Sequence, residues 1–204
     1  MKKLILIVLG LIPVLLPAVA NQEMLAAAIA ETRVETVRTA DQLKATLDAL
    51  NNLVRQPQPD LPGAYAAFAA EVPKTQHAAQ WTQTRVNWMG SEGQTYFTGW
   101  QSTIDQIVNP NLRKKAQRRL ESVKASYGRV NKSLTTATEK FEPFLSDLSD
   151  IQKILSNDIT PGGVKAIKET VSDANWRYRS VNSAIQQALR EMRRMEASLS
   201  PTGQ

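Results

Sequence analysis

The chain has no cysteine and a single histidine, His77. Without cysteine there is no disulfide, no thiolate metal site and no lipid carried on an N-terminal cysteine. A single histidine leaves little for a Ser-His nucleophile pair, and the Glu-x-x-His pattern of a helical di-iron centre is missing. His77 reads as a surface or seam-flank residue. There is no Gly-x-Ser-x-Gly elbow and no phosphate-binding glycine loop; Gly162-Gly163 reads as turn chemistry. Aromatics are only 6% of the residues, so a narrow helical seam fits better than a thick globular core. No strand-type alternation appears, and no repeat of roughly 20 to 50 residues points to a solenoid. These absences argue against an enzyme and against any cofactor or metal.

Past the first twenty residues no stretch is long and apolar enough to span a bilayer. The first twenty have their own pattern. Lys2 and Lys3 precede an apolar run from Leu4 to Leu16, interrupted by Gly10 and Pro13, and Ala18-Val19-Ala20 makes a small-x-small cleavage site. The expected organisation is a signal peptide over residues 1–20, one elongated helical domain over 21–200 and a frayed tail over 201–204. An uncleaved anchor is the alternative. The expected destination is the periplasm of a Gram-negative envelope, peripheral to the membrane. Removing Lys2 and Lys3 leaves a modest net charge of +4, so its distribution matters more than its sum.

What is present is helical periodicity. In residues 22–55, free of Pro and Gly, a stripe recurs at Leu25, Ile29, Thr32, Thr36, Ala40, Leu43, Leu47, Leu50 and Val54. Its two threonines make it a weak seam. Pro57, Pro59 and Pro62 end this segment, and Asp60 is placed to cap the next helix. The second segment keeps a 3-4 spacing from Tyr65 through Phe68, Val72, Met89, Gly93, Tyr96 and Trp100 to Ile107, a coiled-coil-like pattern. Pro73 predicts a kink or short break near residues 70–73, and Gly93 on the seam leaves room for a large neighbour.

Asn109-Pro110 marks the next turn as N-cap and first helical position. The third seam runs from Leu112 through Leu120, Tyr127, Leu134, Phe141 and Leu148 to Leu155, with Pro143 expected to bend it. Thr160-Pro161 repeats the capping pattern, and a fourth seam follows from Val164 to Leu199. Short turns make the helices antiparallel neighbours. The expected fold is all-α: an elongated antiparallel bundle of four long helices with coiled-coil-like seams, the second and third longest. At 1.5 Å per residue those two would each be about 70 Å long.

Trp100-Gln101 through Ile107, then Asn109, Leu112-Arg113, Leu120 and Tyr127, fit a pattern W-x-x-x-[IL]…N-x-x-L-R…L…Y. Glu142-Pro143-Phe144-Leu145 fits an M-x-P-V-L step, Asp150 a following acid, and Ile154 to Ile159 an L-x-x-N-L-N turn. Leu61, Tyr65 and Arg85-Val86 also fit. Over about residues 34–175 the chain resembles the bacterial domain-of-unknown-function family numbered 2959. The resemblance implies an exported or envelope-associated, coiled-coil-like helical protein and no assigned reaction. Two departures stand out. Pro73 falls in a helix the family keeps free of proline, and Ser156-Asn157 replaces a Lys-His pair.

Carboxylates pair on helix faces at Glu31/Glu35, Glu139/Glu142 and Asp147/Asp150, which reads as solvated surface more readily than as acid–base chemistry. Trp81 and Trp88, seven apart, are candidates for inter-helix packing or for partner contact. The charge pattern is the strongest signal. Residues 110–132 carry Arg113, Lys114, Lys115, Arg118, Arg119, Lys124, Arg129 and Lys132 against Glu121 alone. Cations at a helix N-terminus oppose its macrodipole, so the helix gains nothing locally from them. Antiparallel packing should bring them to one pole with Arg190, Arg193 and Arg194.

The expected function is a non-enzymatic envelope scaffold or adaptor whose basic pole contacts an anionic surface or an acidic partner. An exported chain would not meet nucleic acid. The alternative is an interaction module, self-associating as a homo-oligomer or recruiting a partner helix through an incompletely buried seam. An enzyme is the remote third.

Overall fold

The computed structural model describes residues 16–55 and 58–200, with side chains from Ala20 onward. The expected leader and tail lie outside the described residues, except that the first helix runs through the leader's last five positions. The described residues form helices α1 (Leu16–Val54), α2 (Leu61–Asp105), α3 (Pro110–Asn157), α4 (Pro161–Ala166) and α5 (Lys168–Leu199). The fold is the all-α antiparallel bundle, with α2 and α3 longest. At 48 residues, α3 is about 72 Å long at 1.5 Å per residue.

Each turn is set by its cap. The Asp60 carboxylate accepts from the Gly63 amide at 2.9 Å, with Pro62 in the first turn. Asn109 Oδ1 accepts from the amides of Asn111 (3.0 Å) and Leu112 (3.2 Å), with Pro110 leading α3. Thr160 Oγ1 accepts from the Gly163 amide at 3.2 Å. Each satisfies a donor that a helix start leaves unpaired.

Neither internal proline breaks its helix. Of the kink or short break expected at Pro73, the break does not occur. Pro73 supplies no amide to the carbonyl of Ala69, four residues back; that carbonyl instead accepts from Gln152 Nε2 of α3 at 3.4 Å. A break appears elsewhere: the expected fourth segment divides at Ile167 into α4 and α5. Poor helix formers, Gly162 and Gly163, open that segment. The seam survives the break, because Ile167 is itself fully buried.

The bundle closes as a ring in which α1 packs on α2 and α5, and α3 packs on α2 and α5. Facing two neighbours, α1 needs a wider buried face than one stripe, and Ala28, Thr39, Thr46 and Leu53 join Leu25, Ile29, Thr32, Thr36, Leu43, Leu47 and Leu50. The threonines bind α1 to α2. The hydroxyls of Thr32 and Thr46 reach the carbonyls of Ala28 (2.7 Å) and Gln42 (3.0 Å) in their own helix, and those of Thr32, Thr39 and Thr46 lie near the α2 carbonyls of Arg85 (3.1 Å), Ala78 (3.1 Å) and Glu71 (3.4 Å). Both series step by seven residues, so a hydroxyl ladder runs between antiparallel helices in heptad register. Thr39 also meets Thr82 at 2.8 Å, and Thr46 meets Thr75 at 2.6 Å.

The α3/α5 pair is mainly apolar by contrast, with Ser133 and Glu191 its buried polar residues. Leu120, Val123, Val130, Leu134, Phe141, Phe144, Leu148 and Ile151 are buried, as are Val181, Ile185, Met192 and Met195 of α5. The two hairpins join where Tyr127 reaches α2. Its hydroxyl donates to the Met89 carbonyl at 2.8 Å, and a Cβ on Gly93 would lie 2.5 Å from that oxygen. Gly93 is therefore the small position that admits this ring.

Candidate functional site at the basic pole

One end of the rod is built from the start of α1, the end of α2 and the start of α3. The Asn109 cap fixes the turn, and Arg113 fixes it again: its Nε donates to the Ile107 carbonyl at 2.8 Å. That guanidinium sits at the C-terminal end of α2, where a helix dipole favours a cation. Gln101 and Gln117 bridge α2 to α3 just inside the tip at 3.1 Å. An open depression of about 490 Å³ lies between them, lined by Arg113, Lys114 and Arg118 but also by Asp105 and Glu121.

Helix α5 stops short of this tip. Arg119 Nη2 donates to the Ser198 carbonyl at 3.2 Å, and Gln22 Nε2 to the Leu199 carbonyl at 2.6 Å, so the end of α5 is level with Arg119. Further in, Arg129 lies 3.5 Å and Arg194 2.8 Å from Glu191. The two basic clusters therefore share one half of the rod but do not meet at its end. Arg190, Arg193 and Arg194 sit opposite residues near 124–130, about 20 Å along the axis from Arg113–Lys115 at 1.5 Å per residue. The offset arises because α5 is shorter than α3.

The cations differ in how they are held. Arg113 and Arg119 are tied to backbone carbonyls, Arg190 to the Gln187 side chain at 2.7 Å, and Arg194 to the buried Glu191. Lys124 lies 5.9 Å from the centre of the Phe97 ring. Lys114, Lys115 and Arg118 are exposed and make no ion pair or hydrogen bond among the described residues. Arg193 on α5 is likewise exposed and unpaired.

A family model for proteins of unknown function (DUF2959) matches residues 18–200. The chain belongs to the DUF2959 family. The match extends beyond residues 34–175 at both ends and takes in all five helices, α1 from its third residue. No curated protein and no solved structure matches the chain. In this DUF2959 chain, Asn109, Leu112 and Arg113, on which the sequence resemblance partly rests, form the turn at the basic tip.

Elsewhere the DUF2959 bundle shows ordinary surface pairing. Glu31 pairs with Arg85 at 2.8 Å, Glu35 with Arg38 at 3.2 Å and Asp150 with Lys153 at 3.1 Å. His77 is exposed on α2. Asp147 Oδ2 and Arg177 Nε approach to 2.8 Å across α3 and α5 without an aligned hydrogen bond. Burial holds the Asp147 carboxyl above the ordinary carboxylate range; Arg177 pulls it down, while Asp173 and Asp150 add to the rise. Among the described residues no cluster of His, Asp or Glu could hold a metal ion, and no helix is long and apolar enough to cross a membrane.

Trp88 is half-buried, with Nε1 donating to Glu92 at 3.1 Å and Arg85 5.6 Å above its ring. Trp81 is 61% exposed, so of the two tryptophans it is the one open to contact. The weak threonine seam of α1, which motivated the alternative of an incompletely buried seam, is buried in the bundle. Two residues escape a reading by periodicity. Val108 is 88% exposed, and Leu112, which falls on the third seam, is 55% exposed. The available signal is length: α5 has too few residues to cover the first turns of α3.

Proposed function

We propose that the protein is a non-enzymatic, exported helical rod of the bacterial envelope, a scaffold or adaptor whose basic pole contacts an anionic surface or an acidic partner. Lys114, Lys115 and Arg118 carry this reading. They crowd one exposed helix start, against the dipole, with no carboxylate partner among the described residues. Charge placed at a cost to its own helix has a use outside the fold. The leader-like residues 1–20 support export. Near an anionic surface each cation contributes about 1 kcal/mol, and salt screens it.

The test is co-sedimentation of the chain beginning at Asn21 with vesicles; the first core residue is Leu25, so the bundle is retained. Binding is expected to vesicles rich in phosphatidylglycerol and to fall with salt. Replacing Lys114, Lys115 and Arg118 by Gln removes about 3 kcal/mol of attraction, roughly a hundredfold in affinity. Equal binding to neutral vesicles, or unchanged binding by the triple variant, overturns the proposal.

A second reading, protein contact through α2, rests on the exposure of Trp81. Chemical crosslinking in cells from position 81 should then capture a partner or a second copy. The same Trp81 labelling pattern in isolated monomer and in cells removes that reading.

A further inference from the structure

Resting on the proposed contact with an anionic surface, we infer that the tip formed by Val108 and Leu112 inserts into the interfacial layer of an anionic bilayer and stands the rod on end. Two of the exposed large aliphatic side chains of the molecule lie within five residues of each other at its extreme end. Val108 occupies the turn itself and is 88% exposed; Leu112, in the first turn of α3, is 55% exposed. Neither is a frayed residue. The turn is clamped from both sides, by Asn109 Oδ1 on the amides of Asn111 and Leu112 and by Arg113 Nε on the Ile107 carbonyl. Ile107, half-buried against the core, roots it. The aliphatic groups are held outward on a rigid mount.

Their exposure has a structural origin. Because α5 ends level with Arg119, the first turns of α3 lack the neighbour that buries Leu120 and every later seam residue. The apolar seam therefore runs out into solvent. Around it stand Arg113, Lys114, Lys115 and Arg118, all exposed.

Aliphatic side chains ringed by cations suit a bilayer interface, which takes apolar surface at its acyl boundary and cations at its headgroups. A bilayer takes up the cations and the outward valine and leucine in a single contact. The geometry then sets orientation. A contact confined to the end of a rod places its axis along the membrane normal, with the α3–α4 turn at Asp158-Ile159 at the far end. The chain also enters α1 at the membrane-facing end, since Gln22 lies level with Leu199.

The lack of native cysteine permits the test directly. Val108→Cys, Leu112→Cys, Ile159→Cys and Trp176→Cys are each labelled with an environment-sensitive nitrobenzoxadiazole probe, on the chain starting at Asn21. Each is mixed with phosphatidylglycerol-rich vesicles that contain shallow nitroxide lipids. Probes at 108 and 112 are expected to brighten, shift to the blue and be quenched. Probes at 159, on the far end, and at 176, on the flank of α5, are expected to stay unchanged. Val108→Asp should weaken vesicle binding about tenfold, with the melting temperature unchanged because the side chain touches little. Vesicle binding with unchanged probes at 108 and 112 overturns the insertion and leaves the electrostatic contact standing. A response at 176 overturns the end-on orientation. Failure of every variant and of the wild type to bind at low salt overturns this inference together with the proposed surface contact. Binding to soluble polyglutamate but not to vesicles points to an acidic protein and overturns insertion.

Discussion

The two hairpins of this bundle solve the same packing task with different chemistry. The α1/α2 pair buries threonines at heptad spacing, Thr32, Thr39 and Thr46, and gives every hydroxyl a carbonyl. The α3/α5 pair buries Leu, Val, Phe and Met. A threonine hydroxyl lies two bonds from its backbone, so reaching a neighbour's carbonyl requires axes at the short end of the roughly 8–10 Å range. Close approach and paired hydroxyls add to buried leucines in holding α1 on α2, where mainly area removed from water holds α3 on α5. A fully buried side chain of the second kind contributes about 1.5–3 kcal/mol, and a neutral hydrogen bond of the first kind nets about 1 kcal/mol. Both pairs therefore draw stability from buried apolar side chains, Leu25, Ile29, Leu43, Leu50, Leu53 and Phe68 among them in α1/α2, and the threonines add alignment there.

The largest effect should come from Phe144→Ala. Phe144 is fully buried, with Tyr178 of α5 at 6.2 Å between ring centres. The cavity left behind costs about 3–5 kcal/mol, near 10 °C in Tm for a chain of this size. Thermal melts followed by circular dichroism read it. The smaller counterpart is Thr46→Val, which keeps the shape and removes the hydroxyl that meets Thr75 at 2.6 Å; it should cost about 1 kcal/mol. Equal losses in the two variants would erase the contrast between the hairpins.

The smallest effect separates them by pH. The ladder hydroxyls do not titrate, whereas α3/α5 encloses Asp147 beside Arg177. A carboxyl whose folded pKa is raised favours the folded state when protonated. Its contribution is full below the unfolded value, near 3.8, and is lost as pH rises through the higher folded value. Relative to Asp147→Asn, the wild type should gain stability on acidification through that window. A difference in Tm between the two that stays flat from pH 7 to about 4 would remove Asp147 as the source.

Much of this was legible as spacing. Every third-seam residue from Leu120 to Leu155 is buried as its 3-4 steps predict, and the caps at Asp60, Asn109 and Thr160 follow from residue type alone. The departures share a cause, which is that a stripe describes one helix and not its neighbours. Thr39 and Thr46 lie off the apolar stripe of α1 and are buried because α2 supplies carbonyls at their heptad; their seven-residue recurrence is the signal. Pro73 leaves α2 unbroken because Gln152 of another helix serves the carbonyl it abandons. Leu112 keeps perfect spacing and is exposed because its partner helix ends too soon. The same shortfall moves Arg190, Arg193 and Arg194 inward from the tip, so the candidate site narrows to the α3 start.

The meeting of Tyr127 with Gly93 has a consequence for alignment along the rod. Long antiparallel helices with regular seams can slide past one another by a heptad and bury nearly the same apolar surface. Here such a slip would bring the Tyr127 ring against Val86 or Trp100, the residues seven positions either side of Gly93, and neither leaves the vacancy the ring needs. One glycine thus acts as an index mark between α2 and α3 and holds them in the register that their short turn at Asn109 sets.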